Sequence, residues 1–183
     1  MKKINIKIIL ISIIAICTLI LVWYVTIKPL LLNKTPEFET YNKLFNNNNK
    51  IALNSDTYSI ISKSGTNKDN KTNLNFEFSG TDTIWEIESM KETKVTLSFK
   101  SKIENGKYKL VLITPSNDVI TLCNKSSKKN KEITLKPGKT KIKMVGLSAK
   151  GNLNLEIKPS NNKDILHLTP ITKGIEENKA ETK

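Results

Sequence analysis

The chain has 183 residues, enough for one domain with an anchor and tails. Its 30 basic residues are all lysine and exceed the 17 acids by +13, while two cysteines, one histidine and 6% aromatics exclude a disulfide-framed miniprotein, a Cys/His zinc module and histidine-pair chemistry. Seven glycines and six prolines are too few for a collagen-like or Pro/Gly-driven disordered chain.

Residues 1–7 carry Lys2, Lys3 and Lys7, and the following stretch from Ile8 to Ile27 has no charge. A helix of that length, at about 1.5 Å per residue, matches a hydrocarbon core of roughly 30 Å. Trp23 and Tyr24 fall near its far end, where amphipathic rings prefer the headgroup level, and Lys28-Pro29 closes it. The expectation is a single-pass membrane anchor, Ile8 to Ile27. A cleaved signal would have a shorter apolar region and a small-residue cleavage site, which is not found here. A lipoprotein signal would want a small residue before the modified cysteine, but Ile16 precedes Cys17. Positive-inside reasoning places the N-terminus in the cytoplasm and the rest outside, as a signal anchor in the cell membrane.

Residues 28–50 read as a stalk. Thr35-Pro36-Glu37 has the residue order of a helix start, and Phe38, Tyr41 and Phe45 form one apolar stripe that would dock on the following domain. The asparagines from Asn46 to Asn49 should end that helix, because their amides compete for backbone hydrogen bonds.

Over residues 51–169 the apolar period changes to alternation. Candidate strands are Tyr58 to Lys63, Leu74 to Phe78, Thr83 to Glu88, Lys94 to Lys100, Lys107 to Thr114, Val119 to Cys123, Glu132 to Leu135, Lys139 to Val145, Asn152 to Lys158 and Ile165 to Leu168. Turn chemistry separates them at Gly65-Thr66-Asn67, Ser79-Gly80, Glu104-Asn105-Gly106, Pro115 to Asp118, Pro137-Gly138 and Lys150-Gly151. Short strands with no helix between them predict an all-β fold, a single antiparallel β-sandwich, with a polar, disordered tail over residues 170–183.

Alternation assigns Trp85, Ile87, Val95, Leu97, Phe99, Tyr108, Leu110, Leu112, Ile142, Met144, Leu153, Leu155 and Ile157 to the core. Residues 89–150 hold fifteen lysines against four acids, whereas 50–88 hold four against six. Lys94, Lys100, Lys107, Lys109, Lys141 and Lys143 fall on strand faces opposite the core, and Lys128 and Lys129 in the adjoining loop would extend them into one basic face. Candidate partners for that face are anionic cell-wall polymers, lipid headgroups or another membrane protein. Lysine lacks arginine's bidentate fork and no aromatics are interleaved as stacking platforms, so nucleic acid is not expected.

Catalytic chemistry is not expected either. His167 alternates with apolar residues and no nucleophile-elbow motif accompanies it. Glu86 and Glu88 share a strand face and read as solvated. The loop Asn67-Lys68-Asp69-Asn70 carries a lysine where a calcium loop would want neutrality, so neither metal nor cofactor is expected. Cys123, at a strand end, should be a small buried hydrophobe.

The stretch Phe78-Ser79-Gly80-Thr81, Thr93 to Phe99, Gly106 to Ile113, Leu135-Lys136-Pro137-Gly138 and Ala149-Lys150-Gly151 to Ile157 resembles small jelly-roll-type sandwich domains of membrane-anchored or lipoprotein-type bacterial envelope proteins. The resemblance covers roughly residues 74–158 and implies a jelly-roll-like ectodomain. The acylated cysteine of the lipoprotein members is not matched, and the resemblance assigns no functional residue. The functional expectation is a non-catalytic binding module displayed outside the membrane, with its lysine face toward anionic envelope components. The alternative is an accessory or immunity-type subunit of a membrane complex that acts through the anchor helix and stalk.

Overall fold

The structure is a computed structural model describing residues 6–28, 36–159 and 165–175. Lys2, Lys3 and Thr35, used above for orientation and as a helix cap, lie outside the described residues. The chain divides into two compact units, Met1–Thr40 and Tyr41–Lys183.

In the first unit the apolar run is helical but does not form one uniform α-helix. A 17-residue α-helix, Ile6–Val22, leads into a π-helix, Trp23–Ile27. Ile8 therefore lies in the α-helix, and Trp23, Tyr24 and Ile27 in the π-helix. The α-helical part rises about 26 Å, and the π-helix continues it without a break. Among the described residues no helix is long and apolar enough to cross a membrane. The local cause is legible: the Thr26 hydroxyl donates back to the Val22 carbonyl and the Lys28 N–H reaches the Trp23 carbonyl five residues earlier, so the ladder slips by one residue. Lys28 Nζ sits 4.2 Å from the centre of the Tyr24 ring, over its face.

The second unit is built on seven antiparallel strands: β1 (Tyr58–Lys68), β2 (Lys71–Ser89), β3 (Thr93–Ile113), β4 (Val119–Cys123), β5 (Ser127–Leu135), β6 (Gly138–Pro159) and β7 (Leu166–Pro170). Three pairs of the expected short strands are thus single long ones. β2, β3 and β6 each run through two layers and bend at a corner. In one layer the order is β1, β2, β6, β3, β5; in the other it is β7, β2, β6, β3, β4.

That the sheet folds over on itself follows from one bond. Thr72 and Trp85 lie in the same strand, about 43 Å apart if it ran straight, yet Trp85 Nε1 donates to Thr72 Oγ1 at 2.7 Å. The Thr72 hydroxyl passes its own proton to Asn67 Oδ1, and Asn67 Nδ2 donates to the Ile84 carbonyl, so a buried chain of polar groups joins the layers. Around it the alternating apolar residues of both layers form one core, including all thirteen assigned from the sequence. The fold is therefore a β-sandwich.

The glycines mark the corners. Gly80 has φ +114 and a Cβ there would lie 2.0 Å from the Thr57 carbonyl oxygen; Gly106 has φ +73 and would meet Ser148 O at 2.0 Å. Ser79-Gly80, Glu104 to Gly106 and Lys150-Gly151 bend strands without reversing them, whereas Pro115 to Asp118 is a loop that reverses the chain. The β1–β2 reversal is not at Gly65 but at Asp69-Asn70, whose φ of 50 and 62 are those of a two-residue I′ turn.

From Tyr41 on, the segment before β1 belongs to this unit. Helix Pro36–Phe45 ends on buried Leu44 and Phe45; Asn47 then accepts from the Lys50 N–H and starts a further helical turn, Asn48–Ile51. The asparagine run therefore ends one helix and caps the next. At the other end, Ile171 N donates to the Ile84 carbonyl and the Lys173 carbonyl accepts from Lys63, so residues 171–175 are held against the sandwich, past the point where a tail was expected.

Candidate binding face

Strand register fixes what the layer β1-β2-β6-β3-β5 shows on its outer face. Two identical triplets, Asn73-Leu74-Asn75 in β2 and Asn152-Leu153-Asn154 in β6, pair with each other, Asn73 opposite Asn154 and Asn75 opposite Asn152. Their leucines point into the core and their four amides outward. Among the described residues none of these amides makes a hydrogen bond inside the domain, so each keeps an acceptor and two donors.

The rows continue into cations. Asn154 lies opposite Lys100, and Lys100 opposite Lys128; Asn152 lies opposite Lys102. A neighbouring row runs Lys71, Glu156, Ser98, Asn130. With strands about 4.8 Å apart, a four-residue row spans roughly 14 Å. A shallow groove of about 410 Å³ lies here, lined by Lys71, Asn73, Lys100, Lys128, Asn130 and Asn154 among others. Glu156 is neutralised by Lys158 at 3.1 Å and Lys71 at 3.7 Å, whereas Lys100, Lys102 and Lys128 have no carboxylate partner among the described residues. The face is thus half amide and half ammonium, and Phe99, which also borders the groove, points into the core. It has no ring for a sugar to stack on.

The eight lysines expected as one ligand face are divided by the fold. Lys94, Lys100 and Lys128 are exposed on this outer face, with Lys94 paired to Glu132 at 2.9 Å. Lys129 follows Lys128 in a strand and so points to the opposite side. Lys107 is exposed at the corner of β3. Lys109, Lys141 and Lys143 do lie opposite the core, as alternation says, but on the other layer, whose outer face is covered by the segment from Leu44 to Asp56. Lys143 is 0% exposed, with Nζ donating to the Leu53 carbonyl at 2.7 Å and paired to Asp56 Oδ1 at 2.9 Å. Lys141 donates to Asn54 Oδ1, and Lys109 to the Phe45 carbonyl at the C-terminal end of its helix. Lys141 and Lys143 are thus taken up in holding a strap in place, whereas Lys109 fastens its start by one bond and stays half-buried.

The remaining polar candidates are also accounted for. Glu86 faces Lys139 and Lys141 at 3.3 and 3.4 Å; burial would raise its carboxyl, but the two ammonium groups hold it below the usual range. His167 is exposed on β7, across from Glu88. Cys123 is buried beside Ser101, and burial pushes its thiol up.

No protein-family model matches the sequence, and no curated protein is similar to it. Among solved structures, the chain is similar to a CBM35 module from Paenibacillus barcinonensis at 14% identity and TM-score 0.32, over 58% of this chain and 92% of that one. A CBM61 module in complex with β-1,4-galactotriose gives 13% and 0.31, over 67% and 93%. A family two carbohydrate esterase from Cellvibrio japonicus gives 12% and 0.34, with 62% of this chain matched to only 32% of the esterase. Likeness at this level assigns neither ligand nor activity.

Asn73, Asn75, Asn130, Asn152, Asn154, Lys71 and Ser98 were not singled out from the sequence. A signal was nonetheless present, since asparagine is depleted in strands and two Asn-Leu-Asn triplets at alternating positions contradict that tendency.

Proposed function

We propose that this protein is a non-catalytic binding module that engages an anionic, hydroxyl-rich envelope polymer across the Asn/Lys face, held at the membrane by its N-terminal apolar segment. The observation that carries the reading is the patch of four unengaged amides continuing into three ammonium groups that have no carboxylate partner. Amides hydrogen-bond hydroxyls in either direction, and lysines supply point charge for anionic groups. A chain crossing the strands meets a new polar side chain about every 4.8 Å, and it passes from amide to ammonium as it goes. The N-terminal apolar segment supports membrane tethering by its length and lack of charge, with the domain on the side opposite Lys2, Lys3 and Lys7.

The test is co-sedimentation of the full-length chain, in neutral detergent, with purified anionic wall polymer. Binding should weaken steeply between low and physiological salt, since surface charges are screened beyond about 10 Å at 0.1 M. Lys100→Gln with Lys128→Gln should weaken it about fivefold and flatten the salt dependence. Asn73→Ala with Asn154→Ala should weaken it while leaving the salt slope unchanged. Binding indifferent to salt and to both double variants would overturn the assignment.

A further inference from the structure

A second concavity lies away from the amide patch, at the corner of β3. There the β3–β6 register shifts on both sides of Asn105, and Gly106 adopts a left-handed φ, so the strand turns against the β4–β5 connection and the end of helix Pro36–Phe45. The hollow, about 350 Å³, is bordered by Lys107, Lys109, Asn124, Lys125, Ser126 and Phe45, and no acidic residue borders it.

The three lysines differ in environment. Lys107 and Lys125 are exposed, and neither ammonium group makes a hydrogen bond or ion pair among the described residues. Lys109 is half-buried; its Nζ donates to the Phe45 carbonyl at 2.9 Å and sits 4.3 Å from the centre of the Phe45 ring, with no carboxylate partner among the described residues. Burial lowers its pKa, the sign of a cation short of a counter-charge. Ser126 Oγ accepts from the Ile103 N–H at 2.8 Å, which leaves its hydroxyl proton free to donate inward. The face on β2, β6, β3 and β5 has Glu156 among its cations; this hollow is lined by cations and neutral residues.

We infer that this corner hollow is a phosphate subsite, in which Lys107, Lys109, Lys125 and the Ser126 hydroxyl hold one phosphodiester group. Three ammonium donors, acting as point charges from different directions, suit a tetrahedral oxyanion with charge spread over several oxygens. Two envelope sources carry that group, a phosphodiester wall polymer and a phospholipid headgroup. The inference extends the polymer-binding reading but uses different residues, so each can fail alone.

The full-length chain in neutral detergent is titrated with sodium phosphate at constant ionic strength, and backbone amide shifts are followed by NMR. Saturable shifts should be confined to residues 103–109 and 123–126. Lys107→Gln with Lys125→Gln, both exposed positions whose ammonium groups bond nothing within the described residues, should weaken binding about tenfold, while Lys100→Gln with Lys128→Gln should leave it unchanged. Shifts that do not saturate, or that persist at equal affinity in the Lys107/Lys125 variant, overturn the subsite. Competition then assigns the source: displacement of phosphate by soluble poly(glycerol phosphate) alone supports a wall polymer, and displacement by phosphatidylglycerol vesicles alone supports a headgroup. Displacement by both supports recognition of the phosphodiester itself, and displacement by neither overturns it.

Discussion

Asp82 and Lys63 show how far a buried charge can depart from the reading its neighbours suggest. Their side chains are 4% and 2% exposed and lie 2.7 Å apart, the geometry of an ion pair. Burial nevertheless raises the Asp82 carboxyl above its ordinary 3.8; the attraction of Lys63 opposes this without cancelling it, and Asp56 adds to it. An acid whose folded pKa is raised binds its proton more tightly folded than unfolded. Its contribution to stability is therefore present below the unfolded value near 3.8 and is lost as pH rises through the folded one. Asp82→Asn removes that titration. The stability difference between parent and variant should accordingly shift against the parent as pH rises from below 3.8 through the folded pKa of Asp82, measured by urea unfolding at each pH. A difference that grows in the parent's favour over that window would show that the Lys63 attraction prevails. Glu86, held low by Lys139 and Lys141, has the opposite sign: its contribution is present above 4.5 and fades as pH falls through its folded value.

At the scale of elements, the segment from Leu44 to Asp56 decides what the lysines of β3 and β6 do. Leu44, Phe45 and Ile51 bury apolar surface, and the strap is then fastened by polar groups: Lys143 to Leu53 and Asp56, Lys109 to Phe45, and Asp56 in turn to the Thr83 N–H and hydroxyl. Asp56→Ala leaves Lys143 buried with a carbonyl but no counterion. It should cost about 3 kcal/mol in urea denaturation, toward the lower end for breaking a buried pair because Asp56 is partly exposed. Adding Lys143→Met should recover more than half of that loss, since an apolar side chain of similar length needs no partner. A double variant no more stable than Asp56→Ala would mean that the Lys143 bond to Leu53 matters more than the charge pair. The same strap explains why alternation alone misled: period 2 names the face a residue points to, but not whether another element covers that face.

For the whole molecule, the excess of fifteen lysines over four acids in residues 89–150 is distributed over three environments by the fold. Some of it fastens the strap, some borders the amide face, and some rings the corner hollow. The orientation proposed for the membrane carries its own prediction. Protease added to intact cells should remove the domain while leaving the N-terminal segment, detected by an epitope tag at each end; protection of the C-terminal tag until the cells are opened would reverse the topology.

Several features were determined by the sequence alone: an uncharged apolar N-terminal run, an all-β domain after it, and the thirteen core residues from Trp85 to Ile157. These follow from local composition and from a period of two, which any half-buried strand must obey. The loop at Pro115 to Asp118 was legible for the same reason, because proline and asparagine act on the chain next to them. Other features were decided only by the tertiary structure. Glycine signals a change of backbone direction but not its kind, so the corners at Gly80 and Gly106 looked like reversals until the pairing of both halves of β2, β3 and β6 was known. Likewise the two Asn-Leu-Asn triplets lie 79 positions apart in the chain, and only the β2–β6 register places their amides side by side. The burial of Lys143 and the exposure of Lys100 were equally undecidable beforehand, because each depends on which distant segment packs over an outward-facing lysine.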